Sequence, residues 1–248
     1  MRHFGIIGFP LEHSFSAKYF SDKFAREGID AEFCLYPLKE LTDERMKALM
    51  SSLDGFNVTM PYKQAIIPYL VRLDETAQAV GAVNVVHEGV GYNTDCIGFM
   101  ESIRPLLRPT DRHALVLGTG GASKAVCYGL RQLGLCPTLV SRTPSEGMLG
   151  YDALTKEVMA HHTVIVNCTP LGMLPNIDSC PNIPYERLSA RHLLFDCVYN
   201  PEQTIFLQKG KAQGALVKNG MEMLIGQAQA AWKIWNQQNQ HKTSIKPA

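Results

Sequence analysis

A short apolar run, Ala114-Leu115-Val116-Leu117, ends in Gly118-Thr119-Gly120-Gly121-Ala122-Ser123 and passes into an apolar, helix-forming stretch. Few folds use that order. Gly118 permits a tight bend, Gly120 lets backbone approach a diphosphate, and Ser123 stands at the third glycine position, small enough for close helix-to-strand packing. Unpaired amides opening the following helix, those of Gly121 and Ala122 among them, attract an anion. A glycine turn alone is weak. In this strand–turn–helix context, a dinucleotide cradle is a better reading than a purely structural bend.

The surrounding pattern alternates strands and helices twice, which predicts an α/β fold made of two open α/β domains. In the first series, strands are expected at Phe4 to Gly8, Ala31 to Tyr36, Phe56 to Thr59 and Ala82 to His87, forming a mostly parallel sheet. Ser14 or Ser16 can cap a helix ending near Gly28, Thr42 one reaching about Ser52, and Asp74 a short one closed by Gly81. In the second series, strands are expected at Ala114 to Leu117, Thr138 to Ser141, Val164 to Asn167, Leu193 to Cys197 and Ala215 to Val217. Helices fill about Gly121 to Leu133, Asp152 to His161 and Glu202 to Gln213, giving a Rossmann-type domain. A helix over Thr94 to Leu107 leads from one domain to the other. Past Gly220, Leu224, Ala228, Trp232 and Trp235 mark one apolar helix face, while Gln237 to Ala248 is polar enough to fray.

Charge and cysteine usage exclude several classes of function. A formal charge of +1, with no long run of like charge, gives no general attraction to nucleic acid or anionic lipid. No stretch is long enough to span a membrane, and the N-terminal apolar run is too short for a signal peptide. The seven cysteines are odd in number and form no C-x-x-C pair, as expected for reduced thiols in a cytoplasmic protein. The histidines lack metal-ligand spacing, so no metal is expected, and no serine occupies a G-x-S-x-G setting.

Two segments carry isolated ionisable groups. Gly55-Phe56-Asn57-Val58-Thr59-Met60-Pro61-Tyr62-Lys63 would place the Lys63 amine at the carboxyl edge of a sheet, where open α/β folds bind ligands. Gly91-Tyr92-Asn93-Thr94-Asp95 delivers a carboxylate that could equally cap a helix. A lone lysine is most often a solvated surface group, and spacing does not show that the two meet. Within Gly8 to Ser16, Ser14 and Ser16 offer hydroxyls at a helix start, which suit either a cap or a bound carboxylate. Where an NAD site usually has an acid, about twenty residues past the glycines, stands Ser141-Arg142-Thr143. A guanidinium flanked by hydroxyls suits a 2′-phosphate, so NADP is favoured; an exposed loop arginine is the competing reading.

Taken in order, the chain resembles the shikimate dehydrogenase family from Gly8 to about Gln229. The matching blocks are Gly8 to Ser16, Asn57 to Lys63, Gly81 to Asn84, Gly91 to Phe99, Gly118 to Ala122, Asn167 to Met173, Asp196 to Pro201 and Asn219 to Gln227. The resemblance implies a substrate-binding domain of residues 1–97 completed by 221–248, with an NADP-binding domain over 98–220. It implies Lys63 and Asp95 as catalytic pair, Ser14 and Ser16 on the substrate carboxylate, and Asn84, Asp95 and Gln227 on ring hydroxyls. Thr59 and Tyr199 would complete the pocket, and Asn57 would shape the loop backbone. Gly118, Gly120, Gly121, Ala122, Ser141, Arg142, Thr143, Thr169 and Gly220 would hold NADP(H).

The implied reaction is reversible NADPH-dependent reduction of 3-dehydroshikimate to shikimate, by a monomer or homodimer acting on a small-molecule substrate. Lys63 would act as acid in reduction and stabilise charge in both directions. A quinate/shikimate dehydrogenase, or a non-catalytic nucleotide-dependent sensor of the same fold, is the alternative. Departures from the family pattern are Ala17 for proline, Val85 for threonine and Cys96 for glycine, the last at a possible hinge. From Thr143 to Gly150 no second basic residue joins Arg142.

Overall fold

The computed structural model describes residues 1–11 and 14–237, so most of the tail expected to fray, residues 238–248, lies outside the described residues. Its elements, in chain order, build two six-stranded sheets. The first part contains β1 (Arg2–Gly8), α1 (Phe15–Glu27), β2 (Ala31–Pro37), α2 (Asp43–Ser52), β3 (Gly55–Val58), α3 (Tyr62–Ala65), β4 (Arg72–Leu73), α4 (Glu75–Val80), β5 (Val85–His87) and β6 (Val90–Tyr92). After α5 (Asp95–Ile103) come β7 (His113–Leu117), α6 (Gly121–Gln132), β8 (Cys136–Ser141), β9 (Leu149–Gly150), α7 (Lys156–His161) and β10 (Val164–Asn167). β11 (Leu193–Asp196), α8 (Ile205–Ala212), β12 (Leu216–Lys218) and α9 (Met221–Trp235) complete the chain.

The second sheet has the order β12-β11-β10-β7-β8-β9, with every pairing parallel. Renumbered from β7, that is the 3-2-1-4-5-6 order of a doubly wound dinucleotide fold. The first sheet, β2-β1-β3-β5-β6-β4, is parallel except where β5 meets β3 and β6. The expected strand over Ala82 to His87 therefore begins later, at Val85. Ala82, Val83 and Asn84 instead form a loop tied by Val83 N–H to the Lys63 carbonyl at 2.7 Å and by Val58 N–H to the Asn84 carbonyl at 2.8 Å. Gly89, with φ 73, then closes the β5–β6 hairpin.

Side-chain oxygens set several helix starts. Ser14, Thr42 and Asp74 cap α1, α2 and α4 as expected, and Gly28 and Gly81 end α1 and α4 in the left-handed conformation. The helix expected from Asp152 begins only after Thr155, whose hydroxyl accepts from Val158 N–H. That expected from Glu202 likewise starts after Thr204. The connecting helix over Thr94 to Leu107 is α5 followed by a 3-10 turn at Arg104–Leu106.

Helix α9 packs back on the first sheet, as its apolar face requires. Trp235 is buried beside Phe4, Phe20 and Phe33, and its indole N–H donates to the Val86 carbonyl at 3.2 Å. Helix α5 faces the second sheet, with Phe99 edge-on to Phe195 at 5.2 Å, and crosses α9 where Gly98 and Gly226 bring the backbones together. Between the sheets lies a smaller apolar seam of Val80, Ala82, Cys96 and Ala125. Cys96, where a hinge glycine was in question, is helical within α5 and imposes no positive φ.

Candidate active site

The carboxyl ends of β1, β3, β7, β8, β10 and β11 supply loops that carry many of the expected site residues, which is where open α/β sheets bind ligands. Three contacts bring the two sheets' loops together. The Lys63 side chain runs past Gly121, its Cδ 3.7 Å from where a side chain on Gly121 would begin. The Phe15 ring stands 6.1 Å from that of Tyr199. Lys124 Nζ donates to Gln64 Oε1 at 2.9 Å.

Lys63 sits on one-turn α3, held by the Tyr62 hydroxyl on the Leu38 carbonyl at 2.6 Å and by its own carbonyl on Val83. Its ammonium donates to Asp95 Oδ2 at 2.6 Å, and both side chains are largely buried, at 20% and 11% exposure. Asp95 does not cap its helix. The Asn93 amide does so instead, accepting from Cys96 N–H at 3.2 Å, which leaves the Asp95 carboxylate to be shared between Lys63 and Asn84.

Asn84 is the hub of the cluster. Its Nδ2 lies 2.9 Å from Asp95 Oδ1, 2.9 Å from Thr94 Oγ1 and 3.4 Å from Gln227 Oε1, while its Oδ1 accepts from Thr94 N–H at 2.7 Å. Asn57 holds the Asn84 carbonyl through Nδ2 at 3.2 Å, the backbone-shaping part expected of it; its buried Oδ1 has no partner among the described residues. Gln227 is fixed through Nε2 to the Leu224 carbonyl at 3.0 Å. Lys63, Asn84, Asp95 and Gln227, drawn from four separate segments, thus form one hydrogen-bonded group.

Ser14 caps α1, accepting from Ala17 N–H at 3.3 Å, whereas Ser16 is buried one step into the helix and is not its cap. Thr59, half-buried, follows β3 with its N–H on the Ile7 carbonyl at 2.9 Å. Tyr199, also half-buried, faces this loop from the other sheet through Phe15.

The glycine turn leaves room for a ligand. Gly118 has φ 103, a conformation that favours glycine, and a Cβ there would meet Thr169 Cγ2 at 3.0 Å. Among the described residues, nothing beyond its own chain neighbours lies within 4 Å of a Cβ position at Gly120, and no side chain caps the α6 N-terminus that starts there. Open space before uncapped amides fits a diphosphate. Ala122 is in the first turn of α6, whose Ser123 hydroxyl donates to the Gly120 carbonyl at 2.6 Å, and Thr169 donates to Asn167 Oδ1 at 2.6 Å.

At the β8 end, Ser141 Oγ and Thr143 brace one another, with Oγ donating to the Thr143 carbonyl at 3.1 Å and accepting its N–H at 3.2 Å. Arg142 projects from this turn into solvent. Gly220 packs on the carbonyls of Asp196 and Cys197, so its lack of a side chain answers a close backbone approach. Beneath this edge Asp196 accepts from Asn167, Thr204 and Val198 N–H, and burial pushes its carboxyl up to about 6. The described residues hold no cluster of metal-ligating side chains, and no described helix is long and apolar enough to cross a membrane.

Sequence reasoning missed Gln64 and Lys124, whose meeting no spacing rule connects. It offered Asp95 as the possible helix cap, whereas the capping side chain is Asn93.

Known proteins share this chain's sequence and fold. Residues 6–86 match the family model described as the shikimate dehydrogenase substrate binding domain. A shikimate dehydrogenase (NADP(+)) of Nostoc sp. is 36% identical, over 95% of this chain and 91% of the relative. One of Desulforamulus reducens is 34% identical over 93% and 88%. Among solved structures, shikimate 5-dehydrogenase of Thermus thermophilus in complex with NADP(H) and shikimate superposes with a TM-score of 0.85 at 31% identity, covering 95% of this chain and 94% of that one. Shikimate dehydrogenase of Aquifex aeolicus gives 0.85 at 33%, covering 95% and 92%.

Proposed function

The chain belongs to the shikimate dehydrogenase family, and from that premise we infer that it catalyses the reversible NADPH-dependent reduction of 3-dehydroshikimate to shikimate. The observation that carries this reading is the Lys63–Asp95 pair lying beside Gly121 at the open glycine turn. A proton donor and a nucleotide cradle share one cleft.

When bound, NADPH supplies a hydride to the substrate's ketone carbon. As negative charge grows on the ketone oxygen, the Lys63 ammonium stabilises it and delivers the proton, and in the reverse direction Lys63 receives it. Asp95 orients the ammonium through Oδ2 and accepts from a substrate hydroxyl. Asn84 holds the other carboxylate oxygen, so the charge cannot swing away. With Gln227, Asn84 also binds ring hydroxyls. Ser14 and Ser16 take the substrate carboxylate, while Thr59 and Tyr199 close the pocket from either side.

The substrate-binding unit comprises residues 1–97 completed by 221–248, and the NADP unit residues 98–220. Gly118, Gly120, Gly121 and Ala122 cradle the diphosphate at the start of α6. Arg142, on the braced Ser141–Thr143 turn, would pair with a 2′-phosphate; Thr169 and Gly220 would hold the nicotinamide half. The enzyme works in the cytoplasm as a monomer or homodimer, without nucleic acid or membrane.

Steady-state rates with shikimate and quinate, each with NADP and NAD, test the assignment. The shikimate/NADP combination is expected to dominate kcat/KM. A dominant quinate/NAD rate would overturn the substrate and cofactor together, and binding without turnover would make the protein a sensor.

A further inference from the structure

The proton donor stands on an insecure element. Helix α3 has four residues, and no side chain caps its N-terminus at Pro61. One turn of helix is not stable alone and must be held by tertiary contacts. Two come from its own lobe, the Tyr62 hydroxyl on Leu38 and the Lys63 carbonyl on Val83. A third crosses the cleft: Gln64, next to Lys63, accepts from Lys124 of α6 at 2.9 Å.

That bond's position is as informative as its length. Lys124 follows Ser123 in the first turn of α6, the turn proposed to cradle the diphosphate. Directly beneath it, Ala125 closes the apolar seam with Val80, Ala82 and Cys96, and Cys96 adjoins Asp95. The bond therefore lies at the exposed rim of a lobe interface whose interior abuts the catalytic pair. It joins the helix carrying the proton donor to the helix proposed to hold the cofactor.

We propose that Lys124 and Gln64 are positioning residues, a latch across the cleft that sets the Lys63 ammonium against the cofactor's reacting end. Neither touches substrate; both act through α3. The proposal rests on the dehydrogenase reading above. Because both side chains are exposed, the bond is worth less than a buried charged one, and its loss is expected to lower kcat only about threefold to fivefold.

The test compares Lys124→Ala, Gln64→Ala, the double variant and Lys124→Arg in the full chain. Each alanine variant should lose turnover by that factor with KM for 3-dehydroshikimate changed less than about twofold. The double variant should be no slower than either single one, because one bond is removed in all three. Lys124→Arg, which keeps a donor of similar reach, should restore kcat.

Amide exchange at Ile66 and Val83, whose N–H groups bond to Tyr62 and Lys63, reads the latch without any turnover. It should quicken in the alanine variants and return in Lys124→Arg. Unchanged exchange, or a Gln64→Ala enzyme with wild-type kcat, would overturn the latch. Losses that add in the double variant would do so as well, since they would give Lys124 a separate role such as phosphate binding. A wild-type protein without turnover but with the expected exchange pattern would contradict the reaction and leave the latch standing.

Discussion

Lys63 and Asp95, brought together from different elements, bond at 2.6 Å, and the carboxylate oxygen not used by Lys63 is held by Asn84 at 2.9 Å. Each partner thus has one defined direction. Lys63→Ala is expected to lower kcat by about 10² to 10⁴ while changing KM for the substrate only a few-fold, because proton delivery is used in the transition state. Asp95→Asn should lower kcat and raise KM together, since Asp95 orients the amine and is proposed to bind a substrate hydroxyl as well. Steady-state kinetics of the two variants check this; equal turnover in Lys63→Ala contradicts the proton-transfer role.

The cofactor site separates affinity from stability. Space at Gly120 is open to protein atoms, so Gly120→Val should leave Tm nearly unchanged yet raise KM for NADPH at least about tenfold by filling the cradle. Arg142 bears on selectivity. Arg142→Ala should weaken NADPH binding by about 10- to 100-fold, the scale of a charged hydrogen bond, and leave NADH binding almost untouched. Titration of both nucleotides by fluorescence measures it; equal losses for the two would place Arg142 away from the 2′-phosphate.

Much of this architecture is legible along the chain because its determinants are local. The glycine turn, the contiguous apolar strands and the caps at Ser14, Thr42 and Asp74 act within a few residues of themselves. Helices α7 and α8 start later than the apolar pattern suggests because Thr155 and Thr204 cap them. The β5–β6 hairpin was hidden because Ala82 to His87 reads as one apolar run, and only the long-range bonds of Val83 and Asn84 remove its first half from the strand. At the site, family blocks supplied the residues that the structure gathers round Asn84. The Gln64–Lys124 bond depends wholly on how two lobes meet, so no local pattern announces it.

The C-terminal helix belongs energetically to the first lobe. Trp235 fills a site floored by Gly55, where any side chain would collide with the indole. Trp235→Ala should cost about 3–5 kcal/mol, or roughly 6–20 °C in Tm. Gly55→Val should destabilise by overpacking the same contact. Thermal unfolding reads both, and a Tm within 1 °C of wild type, on the order of measurement error, would contradict this packing role.

Buried Asp196 gives stability a pH dependence of defined sign. In the folded chain its carboxyl is pushed up to about 6 from an ordinary 3.8. Between those values the folded state holds the proton and the unfolded state does not. Its contribution to stability therefore declines as pH rises from 3.8 through about 6, by up to about 3 kcal/mol, and is constant above. Asp196→Asn removes this titration. Denaturant unfolding at pH 4 and pH 7 should find the variant gaining on wild type at the higher pH; parallel stabilities would show that Asp196 ionises normally.

The most direct measurement is a crystal structure of the chain with shikimate and NADP bound together. Lys63 Nζ and Asp95 are expected within about 2.6–3.2 Å of the hydroxyl to be oxidised, with the diphosphate on the Gly120–Gly121 amides and the nicotinamide facing the carbon that bears that hydroxyl. Shikimate bound with its reacting hydroxyl turned away from both Lys63 and the nicotinamide would contradict the mechanism.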